Sequence, residues 1–95
     1  MVINGGLDNA PNLSVWPNPS HGENLTISLA QLDPNADHAD LVLYDGFGKQ
    51  VLRQRAALAE GNAQITLDLQ EQAAGIYMLN ASVGGQELHQ RVVVE

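Results

Sequence analysis

The sequence predicts an all-β fold, an Ig-like antiparallel β-sandwich of about seven strands. Apolar and polar residues alternate with a period of two along most of the chain, which is typical of half-buried strands. Turn-forming residues separate these runs at short, regular intervals, as in β-sandwiches. Hydrophobic residues make up 44% of the 95 residues and aromatic residues only 4%, so we expect one aliphatic core.

The alternation is clearest at Leu25–Leu29 and at Ile65–Leu69. The run ADLVLYD, residues 39–45, is more densely apolar, so we expect it to be a central strand. The predicted strands cover residues 13–16, 24–31, 39–45, 49–57, 63–69, 75–83 and 86–94. Two helical alternatives stay open, a helix over Arg53–Ala59 and a single helical turn over Gln70–Gly75.

Two hairpin turns are predicted in detail. Asp45 and Gly48 suit a type I turn followed by a bulge, because Asp accepts backbone N–H bonds and Gly adopts positive φ. Gly84 and Gly85 suit a two-residue hairpin that pairs Val83 with Gln86. In this register one face carries Tyr77, Leu79, Ala81, Val83, Leu88 and Val92. The other face carries the polar residues Asn80, Ser82, Glu87, His89 and Arg91, with Ile76, Met78 and Val93 near its far end.

The stretch VWPNPSHG, residues 15–22, is the most unusual segment. Pro17 and Pro19 have a fixed φ and no N–H, and each favours extended geometry in the residue before it. We therefore expect a stiff, extended exit from the first strand, which ends there or lies at a sheet edge.

The composition argues against several classes of protein. The formal charge of -7 disfavours nucleic-acid binding and anionic membrane surfaces. No apolar run approaches the length of a membrane span, so no membrane insertion is expected. The chain has no cysteine, so neither a disulfide nor a thiolate nucleophile is available. Residues 1–12 look like a linker from a preceding domain, and residues 13–95 form the predicted domain.

No catalytic constellation is apparent, so an enzyme is not expected. His21, His38 and His89 lack neighbours at metal-ligand spacing, and no serine lies in a nucleophile motif. No cofactor is predicted. Asp33, Asn35 and Asp37 have the spacing that opens a calcium loop, but the rest of that loop is missing. Two interpretations of this segment stay open. One is a solvated hairpin loop, and the other, a weak candidate, is a different oxygen-ligand calcium site that also uses Asp40.

Three motifs, in order, carry a family resemblance. They are V-W-P-N-P-S-x-G near the start, L-Y-D-x-x-G-K-x-V-L in the middle, and L-x-L-x(5)-G-I-Y-M-L before a valine-rich end. Together they resemble the type A C-terminal sorting domain of the type IX secretion system of Bacteroidota, over roughly residues 13–94. The last strand departs from the usual family pattern of lysines, because Arg91 is its only lysine or arginine.

The resemblance implies a targeting function. Such domains fold as Ig-like sandwiches in the periplasm, follow an N-terminal cargo domain, and are recognised by an outer-membrane translocon. A sortase-like transpeptidase at the cell surface usually removes them, here within Gly5–Asn12. The positions that match the motifs are Pro17, Asn18, Pro19, Gly22, Asp45, Gly48, Lys49, Gly75 and Tyr77.

We expect recognition by surface contact or strand addition, with residues 86–94 as the candidate contact strand. His89 and Arg91 project from its predicted polar face. The alternative function is a non-catalytic accessory module for carbohydrate or calcium-dependent adhesion. It would need a closed oxygen cage or exposed paired aromatics, for which Trp16 and Tyr77 are the candidates.

Overall fold

The computed structural model describes residues 11–22 and 24–95, which form seven strands in two antiparallel sheets. The strands are β1 (Asn12–Trp16), β2 (Leu25–Ala30), β3 (His38–Tyr44), β4 (Gln50–Ala57), β5 (Ala63–Leu67), β6 (Gly75–Val83) and β7 (Gln86–Val94). One sheet has the order β1-β2-β5 and the other β4-β3-β6-β7. The predicted all-β sandwich of seven strands is confirmed.

The core between the sheets is aliphatic, as the composition predicts. Leu25, Ile27 and Leu29 of β2 are fully buried, which matches the alternation read from the sequence. From the other sheet, β3 and β6 contribute Leu41, Leu43 and Leu79. Burial of each such side chain contributes on the order of 2 kcal/mol to the free energy of unfolding. Within residues 11–22 and 24–95, Tyr77 is the single buried aromatic residue.

The β6–β7 hairpin has the predicted register. Val83 pairs with Gln86, Ala81 with Leu88 and Tyr77 with Val92. The face predicted to be apolar packs into the core. This burial favours the observed register, because a one-residue slip would turn these side chains to solvent. β3 lies inside the four-stranded sheet, between β4 and β6, and is the predicted central strand.

Both helical alternatives are wrong. β4 continues to Ala57 because its pairing with β3 extends to His38 and Ala57, which overrides the helix propensity of that segment. Residues 70–72 form a turn closed by a hydrogen bond from the Gln72 amide to the Leu69 carbonyl, not a helix. In the part of the chain that the structure describes, no helix has the length and apolarity to cross a membrane.

The tight turn between β4 and β5 was not predicted. Glu60 and Gly61 have φ of 54° and 82°, which are the paired positive values of a type I′ turn. The Gly61 carbonyl accepts a hydrogen bond of 3.1 Å from the Leu32 amide, so this turn packs directly against the β2–β3 connection. A Cβ at Gly61 would collide with the Leu32 carbonyl oxygen.

We therefore expect Gly61→Ala to lower the free energy of unfolding by about 2–4 kcal/mol, through the clash and the positive φ together. Gly84 also has a positive φ, but no atom lies within 4 Å of its Cβ position. The control Gly84→Ala should cost only about 1 kcal/mol. Equal losses for the two variants in urea denaturation would contradict this account of Gly61.

Candidate functional site

The three sequence motifs lie at one end of the sandwich, which we call the motif end. β1, β3, β5 and β7 finish there, and β2, β4 and β6 begin there. The registers bring the motifs together, because Gly75 pairs with Val94 and Val94 in turn bridges to Ser20. Tyr44, just before the second motif turn, pairs with Met78 in β6. Residues distant in sequence therefore form one continuous region.

The first motif covers the outer edge of β7. The Asn18 side chain donates from Nδ2 to the Arg91 carbonyl at 2.9 Å, and its Oδ1 accepts the Val93 amide at 3.1 Å. A side-chain amide has the same donor and acceptor as a peptide group. Asn18 thus replaces a backbone partner at a place where the flanking prolines, Pro17 and Pro19, have no N–H to donate.

Ser20 continues this pairing with its own backbone. Its amide donates to the Val93 carbonyl at 2.7 Å, and its carbonyl accepts the Glu95 amide at 2.7 Å, in a short parallel bridge. Ser20 is fully buried, and its Oγ also accepts the Gly22 amide at 3.2 Å. We call residues 18–20 with their partners in residues 91–95 the edge clasp.

The expected extended exit from β1 is wrong. The chain bends at residues 17–19, and the peptide bonds before Pro17 and Pro19 are both cis. The bend has a topological reason. β1 belongs to the three-stranded sheet, whereas the residues that follow must reach the edge of β7 in the other sheet.

The second motif forms the predicted turn between β3 and β4. The Asp45 carbonyl accepts the Gly48 amide at 3.0 Å, and Gly48 has a φ of 82°. The Asp45 carboxylate accepts the amides of Phe47 and Lys49, both at 2.9 Å. Asp45 and Gly48 are therefore accounted for by turn geometry, and the turn presents Phe47 with 98% of its surface exposed.

The third motif opens β6 with Gly75 and buries Tyr77, whose side chain is 6% exposed. The Tyr77 hydroxyl donates to the Ala73 carbonyl, four residues upstream. This is the arrangement of the tyrosine corner in Ig-like sandwiches. The paired aromatic platform considered for sugar binding is wrong, because Tyr77 is buried while Trp16 is exposed on the other sheet.

A cavity of about 480 Å³ lies between the second and third motifs. Residues 45–47 line one side and residues 73–77 the other. It is bordered by exposed apolar groups, since Phe47 is almost fully exposed and Ile76 is 56% exposed. Its lining contains no histidine, serine or lysine, and the only carboxylate, that of Asp45, is engaged by the turn.

The two residues proposed on β7 lie further from the motif end. Arg91 pairs with Met78 and His89 with Asn80, so both lie on the outer face of the four-stranded sheet. The His89 Nδ1 is 2.6 Å from the Asn80 Oδ1. Arg91 joins the edge clasp through its carbonyl only. Lys49 lies on the hairpin beside Phe47 and is exposed.

The weak calcium candidates lie at the opposite end of the sandwich, between β2 and β3. The Asp33 carboxylate accepts the Asn35 amide at 2.9 Å, and the Asp37 carboxylate lies 2.7 Å from the His38 Nδ1. Asp40 is paired with the Arg55 Nε at 3.1 Å. No three histidine, cysteine or acidic side chains are grouped to hold a metal ion within residues 11–22 and 24–95.

Comparison with known families identifies the chain. The family model of the secretion system C-terminal sorting domain matches residues 14–95. The chain belongs to this family. Its members are targeting tags of type IX secretion in Bacteroidota, so the sorting domain directs export toward the cell surface or extracellular space and interacts with that machinery. A search of curated proteins finds no significant match.

Sequence reasoning found the motif residues of the sorting domain but missed two neighbours. Ser20 was assigned only to a turn, although it is buried and bonded to both Val93 and Glu95. No local signal predicts this, because its partners are more than 70 residues away. Phe47 was passed over inside the turn motif, although an aromatic residue at a hairpin tip is a readable signal of exposure.

The edge clasp predicts the effect of changing Asn18. Asn18→Ala removes two hydrogen bonds and should lower the free energy of unfolding by about 1–3 kcal/mol in urea denaturation. Asn12→Ala is the control, since Asn12 is exposed and its side chain bonds only to nearby Ser14. The control should change stability by less than about 0.5 kcal/mol. If the two variants had the same urea midpoint of unfolding, the stabilising role of the edge clasp would be refuted.

The acidic residues near His38 and Arg55 predict a pH dependence. The hydrogen bond from Arg55 holds the pKa of Asp40 below its ordinary value, and that from His38 does the same for the pKa of Asp37. A carboxylate with a lowered pKa stabilises the folded state above its unfolded pKa. That stability is lost as the pH falls through the folded pKa.

The stability difference between wild type and Arg55→Gln should therefore be small but present at pH 6, and should shrink below about pH 4 as Asp40 is protonated. Thermal melts across this range measure it. A difference that stays constant with pH would contradict a role for the Asp40 charge.

Proposed function

We propose that the domain is the address label of an N-terminal cargo protein, read by the translocon of the type IX secretion system after periplasmic transit. A sortase-like transpeptidase at the cell surface then releases the cargo. The observation that carries this proposal is the convergence of all three motifs at the motif end, which offers one contiguous surface for a receptor.

The motif residues divide between building this surface and presenting it. Asn18, Asp45, Gly48 and Tyr77 are engaged in bonds or turns within the domain. We propose that they recruit the translocon indirectly, by holding the edge clasp, the hairpin and the start of β6 in place. Pro17, Pro19, Gly22, Lys49, Gly75, His89 and Arg91 complete the proposed recognition set.

Only part of the outer edge of β7 is open for pairing with an added strand. Successive residues of a strand direct their backbone groups to opposite sides, so odd-numbered residues of β7 face away from β6. The edge clasp occupies this edge from Arg91 to Glu95. The backbone of Glu87 and His89 faces outward beyond the clasp, where no described strand pairs with it. A partner strand would add there.

Transpeptidase cleavage is proposed within Gly5–Asn12. Residues 1–10, most of the linker predicted for residues 1–12, lie outside the described residues, whereas Asn12 is the first residue of β1. Because Asn12 pairs with Ala30, cleavage before Asn12 would leave the sandwich whole.

The test is a fusion of residues 1–95 behind a periplasmically exported fluorescent protein in a type IX-competent bacterium. We expect fluorescence at the cell surface or in the medium. It should stay periplasmic when the domain is omitted, or when the translocon gene is deleted. Deletion of β7 is not a suitable control, because Val92 and Val94 are buried in the core.

Cleavage is tested separately in a strain without the transpeptidase, where the exported fusion should keep its domain. Export that is independent of the translocon would refute the sorting function. Removal of the domain that is unchanged without the transpeptidase would refute only the cleavage step. Accessory binding is the remaining alternative, and no specific observation on the described residues favours it.

A further inference from the structure

The outer face of the four-stranded sheet carries an exposed apolar patch at the motif end. The registers place Tyr44, Met78 and Arg91 in one row across the sheet, with Ile76 and Val93 in the next row toward the motif end. Ile76 is 56% exposed and Met78 is 41% exposed. Isolated exposed apolar side chains are ordinary, but neighbouring ones on one sheet face indicate a contact surface.

Phe47 stands at the edge of this patch. It is 98% exposed at the tip of the β3–β4 hairpin, and it lines the same cavity as Ile76. The fold does not need its ring, because the turn is held by the backbone and by the Asp45 carboxylate. An aromatic side chain with this exposure, on a turn whose backbone is held by hydrogen bonds, has the form of an interface anchor.

The basic residues of the chain lie on the side of the domain that carries this patch. The four lysine and arginine residues of the chain are Lys49, Arg53, Arg55 and Arg91. The three arginines lie on the outer face, opposite Val42, Asp40 and Met78, and Lys49 lies on the hairpin that carries Phe47. Asp40 and Glu87 lie on the same face, so three arginines there stand against two acids, in a chain of net charge -7.

Most of these cations lack an internal partner. Arg55 is paired with Asp40, whereas Lys49, Arg53 and Arg91 have no carboxylate within 4.0 Å among the described residues. Of the acids at the motif end, Asp45 accepts two backbone amides and Glu95 lies 3.7 Å from His21, while Glu87, further along β7, is not within 4.0 Å of these cations. Three cations therefore remain available to carboxylates of a partner.

We propose that this face, with Phe47 as its anchor, is the surface that docks on the type IX machinery, and that its partner is a protein surface with an apolar pocket rimmed by carboxylates. The inference rests on the proposed recognition by that machinery and names the chemistry of the contact. Charge complementarity of this kind orients encounter and sets specificity.

An anionic lipid surface also attracts cations and takes up apolar side chains. The charge of the chain as a whole disfavours it, because a membrane presents an extended plane of negative charge to a protein of net charge -7. A pocket rimmed by carboxylates, in contrast, faces only the local basic patch.

The experiment compares variants of the exported fluorescent fusion. Phe47→Ser should reduce surface and medium fluorescence about tenfold, while Phe47→Leu keeps an apolar anchor and should retain most of it. Arg53→Gln should reduce export about two- to fivefold by removing an unpaired cation. Its control is Gln64→Glu, which changes net charge equally on the exposed face of β5 in the other sheet.

Melting curves of the purified domains should agree among these variants, since each altered side chain is exposed. Export of Phe47→Ser at the wild-type level, or equal losses for Arg53→Gln and Gln64→Glu, would overturn this inference alone. Failure of the wild-type fusion to be exported would overturn the proposed function as well. Co-sedimentation of the wild type, but not Phe47→Ser, with phosphatidylcholine–phosphatidylglycerol vesicles would assign the patch to lipid instead.

Discussion

Closure of the outer edge of β7 is the interaction on which the architecture of this sorting domain depends. β7 supplies Val92 and Val94 to the core, yet it lies at the edge of its sheet with one row of backbone groups unpaired by β6. An open edge of this kind is a site for unwanted pairing. Asn18 and Ser20 form hydrogen bonds with the unpaired backbone groups at the end of β7. These bonds also connect the segment after β1 to the opposite sheet.

This closure explains why a segment that contains two prolines stands at the exit from β1. Proline has no N–H, so an ordinary strand could not pair fully along this edge. The Asn18 side chain supplies both a donor and an acceptor in its place, and Ser20 resumes backbone pairing two residues later. The same segment thus ends one strand, crosses between sheets and protects the last strand of the fold.

The residues that stabilise the fold and those proposed for docking differ in one respect. The first have bonding partners within the domain, and the side chains of the second have none among the described residues. Asp45, Gly48 and Tyr77 are explained by bonds and backbone geometry, so their presence in the motifs requires no contact with a receptor. Phe47 and three cations have no such internal role. An acidic chain whose basic residues gather on one face also has a preferred orientation toward a charged partner.

The all-β class, the seven strands, the Asp45–Gly48 turn and the β6–β7 register could all be predicted from the sequence, because alternation and turn chemistry are local. The way in which the two sheets join could not, because it depends on contacts between distant parts of the chain. The edge clasp pairs residues more than 70 positions apart, and the contact of Gly61 with Leu32 joins two connections that no local pattern relates. The gathering of bases on one face likewise follows from strand order, which depends on packing across the whole domain.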